Sequence, residues 1–226
     1  MKKNSKVFFE NKKKEYKQPN EKYIVEKLNK VPNKYLYRLV KRLFDLSISL
    51  IGIIVMVLPM LVIAILIKKD STGPVFYKQE RLGIKGKPFK IIKFRSMRID
   101  AENNGAMWAN KNDSRVTRIG KSLRKTRLDE IPQLFNIFLG QMSFVGPRPE
   151  RKIFYDQFAT YITGFEQRLL IIPGLTGFAQ LNGGYDLKPE EKIIYDIEYI
   201  KKRSILFDIK LFFKTILIVF SHDGAR

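Results

Sequence analysis

From Leu46 to Ile67 the chain runs 22 positions without a charged residue, its most one-sided stretch. At about 1.5 Å per helical residue this is roughly 33 Å, close to the hydrocarbon thickness of a bilayer, so it predicts a membrane-embedded helix. Pro59 falls inside the run, where it removes a backbone donor and predicts a bend. Two shorter patterns follow. Val75 to Gln79 and Pro88 to Phe94 read as strands joined through Gly83, Lys85, Gly86 and Lys87, which predicts a small hairpin. Further on, Pro189, Glu190 and Glu191 open a helix that places Ile193, Ile194, Ile197 and Ile200 on one face and ends at Lys201, Lys202 and Arg203. Ser204 to Phe220 is apolar but interrupted by Asp208, Lys210 and Lys214, the pattern of an interfacial helix, with an ordinary buried helix as the alternative. The fold these patterns predict is mainly α with a small β-hairpin, an α+β chain carrying one membrane helix.

Charge changes the picture twice. A formal net charge of +21 on 226 residues calls for a polyanionic partner: nucleic acid, anionic lipid or a phosphorylated substrate. Basic residues also flank both ends of the apolar run, Lys41 and Arg42 before it and Lys68 and Lys69 after it. The positive-inside tendency draws both flanks to the cytoplasmic face, which a helix that enters one leaflet, bends at Pro59 and returns would satisfy; a straight span is the alternative. Three regions follow: a basic N-terminal arm at 1–40, a re-entrant membrane helix at 41–69 and a catalytic domain with interfacial helices at 70–226. With no cysteine and a single histidine, His222, in the polar tail, cysteine nucleophiles, thiolate metal sites and His-based triads drop out. The stretch Asn103 to Asp113 reads as a loop, and its Trp108 as a packing anchor.

The candidate chemistry lies where Arg115, Arg118, Lys121, Arg124, Lys125 and Arg127 run into Asp129 and Glu130, with Pro132 just after. Pro132 predicts a helix beginning near Leu128 to Ile131, which would set the two carboxylates at its positive end beside any bound phosphate. Taken alone this pair is weak evidence and reads more readily as a helix cap beside a solvated basic face. Its surroundings carry more. Arg118-Ile-Gly-Lys-Ser-Leu-Arg124, Leu128-Asp129-Glu130-Ile-Pro132-Gln133 and Gly146-Pro147-Arg148-Pro149 stand in order, preceded by Lys41-Arg42-Leu-Phe44-Asp45, Gln79-Glu80-Arg81-Leu-Gly83 and Lys93-Phe94-Arg95-Ser96-Met97, and followed by Pro173-Gly174-Leu-Thr176-Gly177-Phe-Ala179-Gln180. Together they resemble the bacterial sugar transferases, monotopic phosphoglycosyl transferases, over residues 41 to 221.

That resemblance implies a reaction at the cytoplasmic face of the inner membrane, in which a sugar phosphate passes from a UDP-sugar donor to a polyprenyl phosphate acceptor with magnesium present and UMP released. It implies Asp129 as nucleophile and Glu130 as its partner. Glu130 is expected to be a magnesium ligand or orienting group before a general base, because a phosphate monoester, with a second pKa near about 6, is already largely ionised. Arg124 and Arg148 are the first candidates for substrate phosphate, since a guanidinium can grip two oxygens, with Arg81, Arg95 and Arg118 next. The chain departs from some members in two places: Leu58 precedes Pro59 where a serine stands, and Gly184 occupies a position where an arginine is associated with the donor. A non-catalytic basic module that organises anionic membrane lipid explains the charge but not the Asp-Glu pair. A nucleic-acid partner is not expected, for no recognisable binding module accompanies the apolar run.

Overall fold

The computed structural model describes residues 23–28, 31, 34–103, 105, 113–183 and 187–221. Trp108, Gly184, His222 and most of the basic arm lie outside them. Where the arm is described it is part of the fold. Strand β1 (Tyr23–Ile24) pairs in parallel with β5 (Ile162–Thr163), and Val25 is buried in a core with Phe154, Phe158, Phe165, Ile193 and Ile197. Within the basic arm read over 1–40, residues 23–28 are packed, their apolar Val25 and Leu28 finding a place that lysine content alone does not reveal.

Helix α1 (Tyr35–Asp70) is the long apolar helix, and it runs unbroken through Pro59. Any change of direction there is a kink within one helix. It is the one helix among the described residues long and apolar enough to cross a membrane. Its outer face shows Ile51, Ile54, Val55, Leu58, Leu61, Val62 and Ile65, while Asp45, Ser49, Met60, Ile63 and Ile67 are buried. The inner face meets the body along its whole length. Near its start, Arg42 donates to the carbonyls of Ile137 (2.8 Å) and Phe138 (2.7 Å), and Asp45 accepts from the Phe144 amide at 3.1 Å. Midway, Gly52 lies so close to Leu134 that a Cβ would stand 3.1 Å from it. At its end, Met60, Ile63 and Ile67 pack with Phe94 and Leu123, and Asp70 accepts from the Ile119 amide at 3.0 Å.

The expected hairpin is present, as β2 (Phe76–Leu82) and β3 (Pro88–Phe94), antiparallel and in register from Phe76 opposite Phe94 to Leu82 opposite Pro88. Lys85 and Gly86 take positive φ in the turn, the left-handed conformation that lets a short loop reverse the chain. Helix α2 (Arg118–Thr126) follows, capped by Thr117, whose side chain accepts from Gly120 N. It closes on Arg127 at φ 60, and from there a 3-10 turn, Leu128–Glu130, carries the two carboxylates. Helix α3 (Gln133–Phe138) begins only after Pro132, so Asp129 and Glu130 sit on the turn ahead of the helix and not in its first turn as expected. The left-handed Arg127 ends one helix and redirects the chain before Pro132 can start the next.

The remainder is β4 (Ser143–Val145), α4 (Lys152–Ala159), β5, a 3-10 stretch Phe165–Leu170, β6 (Gly174–Thr176) paired in parallel with β4, α5 (Phe178–Asn182), α6 (Pro189–Lys202) and α7 (Ile205–Ser221). The two parallel pairs were not legible as strands, being only two or three residues long. Helix α6 buries the four isoleucines read from its pattern. Helix α7 answers to both earlier readings: Leu206, Phe213, Ile216 and Leu217 are exposed, whereas Leu211 and Asp208 are buried against the body. Asp208 accepts from Lys41 (2.7 Å), Tyr37 (2.8 Å) and Tyr199 (2.7 Å), which bolts α7 to the start of α1.

Candidate active site

A cavity of about 390 Å³ opens between the hairpin, the 3-10 turn at Leu128–Glu130, the Arg148 segment, the Arg168 stretch and α6. Asp129 and Glu130 line it, among the cations Arg81, Lys93, Arg124, Arg127, Arg148 and Arg168. The hairpin brings Lys93 to Glu130: its ammonium donates to Glu130 Oε1 at 2.8 Å. Arg148 closes on the same carboxylate with both terminal nitrogens, Nη2 to Oε1 and Nη1 to Oε2. A fork of this kind fixes direction as well as charge.

The neighbouring carboxyls are driven apart. Burial pushes Asp129 upward and the charge of Glu130 adds to it, against the pull of Lys93, Arg124 and Arg148, and the result is raised to about 6. Burial also acts on Glu130, but the charges of Arg148 and Lys93 and their hydrogen bonds outweigh it, and its carboxyl is held well below the usual carboxylate range. One member of the pair is thus a fixed anion and the other is poised to gain or lose a proton near neutrality. Adjacent acids with divergent affinities for the proton are a recurrent arrangement in active sites.

The expected phosphate-binding arginines divide. Arg124 and Arg148 reach the cavity, and so does Arg81, which is tied to Glu150 at 3.2 Å and Gln79 at 2.5 Å. Arg95 touches the cavity but spends its guanidinium on the carbonyls of Ser71 (2.7 Å) and Thr72, at the end of α1. Arg118 is exposed at the start of α2 and does not line the cavity, because the helix turns that position outward. Glu130, expected to bind magnesium, has both oxygens facing cations, and among the described residues no three of His, Cys, Asp and Glu converge on a point. The residues present do not fit a resident magnesium on Glu130.

Lys93, Arg168, Lys192, Gln79 and Gln180 also line the cavity, and sequence reasoning assigned them no role. Arg168 is the deepest of them, bonded to Asp196 at 2.6 Å and to the carbonyl of Arg148 at 2.9 Å, so it braces the segment that holds Glu130. Lys93 and Gln180 were quoted within motifs, and their order along the chain gave no sign of which way they point.

The family model for bacterial sugar transferases matches residues 36–222. The chain is 42% identical over 194 residues to the UDP-N-acetylgalactosamine-undecaprenyl-phosphate N-acetylgalactosaminephosphotransferase of Aeromonas hydrophila, covering 84% of this chain and 46% of that protein. To the UDP-glucose:undecaprenyl-phosphate glucose-1-phosphate transferase of Escherichia coli (strain K12) it is 39% identical over 215 residues, 89% of this chain and 46% of the relative. With the exopolysaccharide production protein PSS of Rhizobium leguminosarum bv. phaseoli it shares 40% identity over 189 residues, 78% of this chain and 93% of that protein. The chain therefore spans less than half the length of the first two relatives and nearly the whole of the third. With the match to the family model running almost from end to end of the described structure, this chain belongs to the bacterial sugar transferase family.

Proposed function

We propose that the chain transfers a sugar phosphate from a UDP-sugar to undecaprenyl phosphate through a covalent intermediate on Asp129. The observation that carries this reading is two adjacent carboxyls in a cation-lined cavity, Glu130 held by Lys93 and Arg148 and the buried Asp129 left facing the cavity. Asp129, once ionised, is a nucleophile with no cation among the described residues bonded to its oxygens. An Asp129 oxygen attacks the sugar-bearing phosphorus, the bond from that phosphorus to the UMP oxygen breaks, and UMP departs with the electron pair. The acceptor phosphate oxygen then attacks the same phosphorus, the acyl-phosphate bond breaks, and Asp129 is restored as a carboxylate. Glu130 anchors Arg148 and Lys93, whose positive charge faces the phosphate oxygens as they crowd together. A carboxyl held so far below its usual range is a poor base, which leaves anchoring as its role.

The membrane belongs to the same proposal. Both ends of α1 are fastened to one body, by Arg42 and Asp45 at one end and by Asp70 at the other. A straight crossing would pull that body through the bilayer, so the helix lies within one leaflet and the cavity opens at the cytoplasmic face. Single cysteines placed at residues 43 and 69 of this cysteine-free chain are expected to react with an impermeant thiol reagent from the same side of sealed vesicles. Labelling from opposite sides would defeat this topology.

The reaction is tested by incubating the protein with a panel of UDP-sugars and undecaprenyl phosphate and measuring UMP. The rate of the donor step at low substrate is expected to rise about tenfold per pH unit below about 6 and level off above it, because the attacking form of Asp129 is the deprotonated one. Absence of UMP with every donor sinks the proposal.

A further inference from the structure

We propose that Gln180 reads a hydroxyl group of the transferred sugar, and so marks the part of the cavity where that sugar lies. This inference rests on the reaction proposed above. Gln180 stands in α5, and its side-chain nitrogen donates to the carbonyl of Leu175 at 2.8 Å. A carbonyl only accepts, so this bond fixes which end of the amide is which. The other end, Oε1, is buried with no hydrogen-bond partner.

Four cavity-lining side chains carry such an unmatched atom: Arg81 at Nε, Arg95 at Nε, Arg168 at Nη1 and Gln180 at Oε1. The three arginine nitrogens are donors, and those of Arg81 and Arg168 suit a phosphate oxygen. Gln180 Oε1 can only accept, and a phosphate oxygen beside it would repel it. A buried polar atom without a partner is costly, and in a cavity its complement is a ligand group of the opposite kind. Of the two substrates, the ionised polyprenyl phosphate brings no donor, whereas the nucleotide sugar brings hydroxyls.

The position selects the sugar. A Cβ built on Gly177 would stand 2.8 Å from Gln180 Oε1 and 2.2 Å from the carbonyl of Gly146, so the amide oxygen lies beside the chain two residues before Arg148. Arg168 reaches the same segment through the Arg148 carbonyl, and Arg148 holds Glu130. Gln180 Oε1 and Arg168 Nη1 are thus an unmatched acceptor and an unmatched donor, each on a side chain that neighbours the segment leading to Arg148. Apolar lining that suits a base comes from other elements, Pro74, Phe76, Met97 and Ile99. Gln180 as a whole is only half-buried and lines the cavity.

The test compares wild type with Gln180→Met, which keeps the length and loses the acceptor. UMP release is measured with the best UDP-sugar from the panel and with its 2-, 3-, 4- and 6-deoxy analogues; inhibition by UMP and thermal unfolding are measured alongside. For the wild type, at least one deoxy analogue is expected to fall about tenfold or more in kcat/KM. Gln180→Met should lose that discrimination while its inhibition constant for UMP stays within about twofold. Should the variant fail to fold, the wild-type analogue series decides. Equal kcat/KM for all analogues, the result if Oε1 holds only a water, overturns the inference, as does a variant that weakens UMP as much as the sugar nucleotide. Either outcome leaves the overall reaction standing, since that is judged by UMP release from the wild type.

Discussion

Asp129→Asn is expected to lower turnover by about four orders of magnitude and to remove the covalent adduct altogether. The amide matches the carboxylate in size but lacks its negative charge and is a far weaker nucleophile, so binding survives and bond formation does not. Wild-type protein given a UDP-sugar without acceptor should release about one equivalent of UMP per chain and gain the mass of a sugar phosphate at residue 129. The asparagine variant should do neither. A variant that keeps normal turnover, or an adduct found on another side chain, would end the account of Asp129 given above.

The second large effect lies in stability. Arg168 and Asp196 form the most buried ion pair described, with side chains 1% and 2% exposed. Replacing Asp196 with alanine leaves the guanidinium without its counter-charge in a site also bounded by the rings of Phe165 and Tyr155. The penalty for stranding one half of such a pair is about 3–5 kcal/mol, enough to lower the unfolding temperature by roughly 10 °C in a chain of this size. Thermal unfolding in detergent measures it, and a change under 2 °C would show that Arg168 finds other compensation. Activity should fall as well, because Arg168 also holds the carbonyl of Arg148.

Much of the fold could be read from the residues because the signals were local. The hairpin follows from two apolar runs around Gly83 to Lys87, and α6 from the spacing of four isoleucines between acidic and basic ends. Asp129 and Glu130 stood out through their motif. What escaped was pairing over distance. Lys93 reaches Glu130 across 37 positions and Arg168 reaches Asp196 across 28, and no periodicity links such partners. Arg95 shows the converse: a cation within a motif suggested phosphate, yet its geometry serves the carbonyls that end α1. The expected helix start at the dyad was displaced because a left-handed Arg127 intervened, and arginine gives little warning of that conformation.

The grip of Arg95 on Ser71 and Thr72 has a mechanical consequence. Two positions earlier, at the end of β3, Lys93 holds Glu130, so the chain leaving the apolar helix and the turn that carries Asp129 and Glu130 are tied to neighbouring residues of one segment. On the proposed topology, the depth of that helix in lipid would set how high Asp129 stands over the headgroups, and a thinner or thicker bilayer would raise or lower it relative to the proposed acceptor's phosphate like a float on a fixed arm.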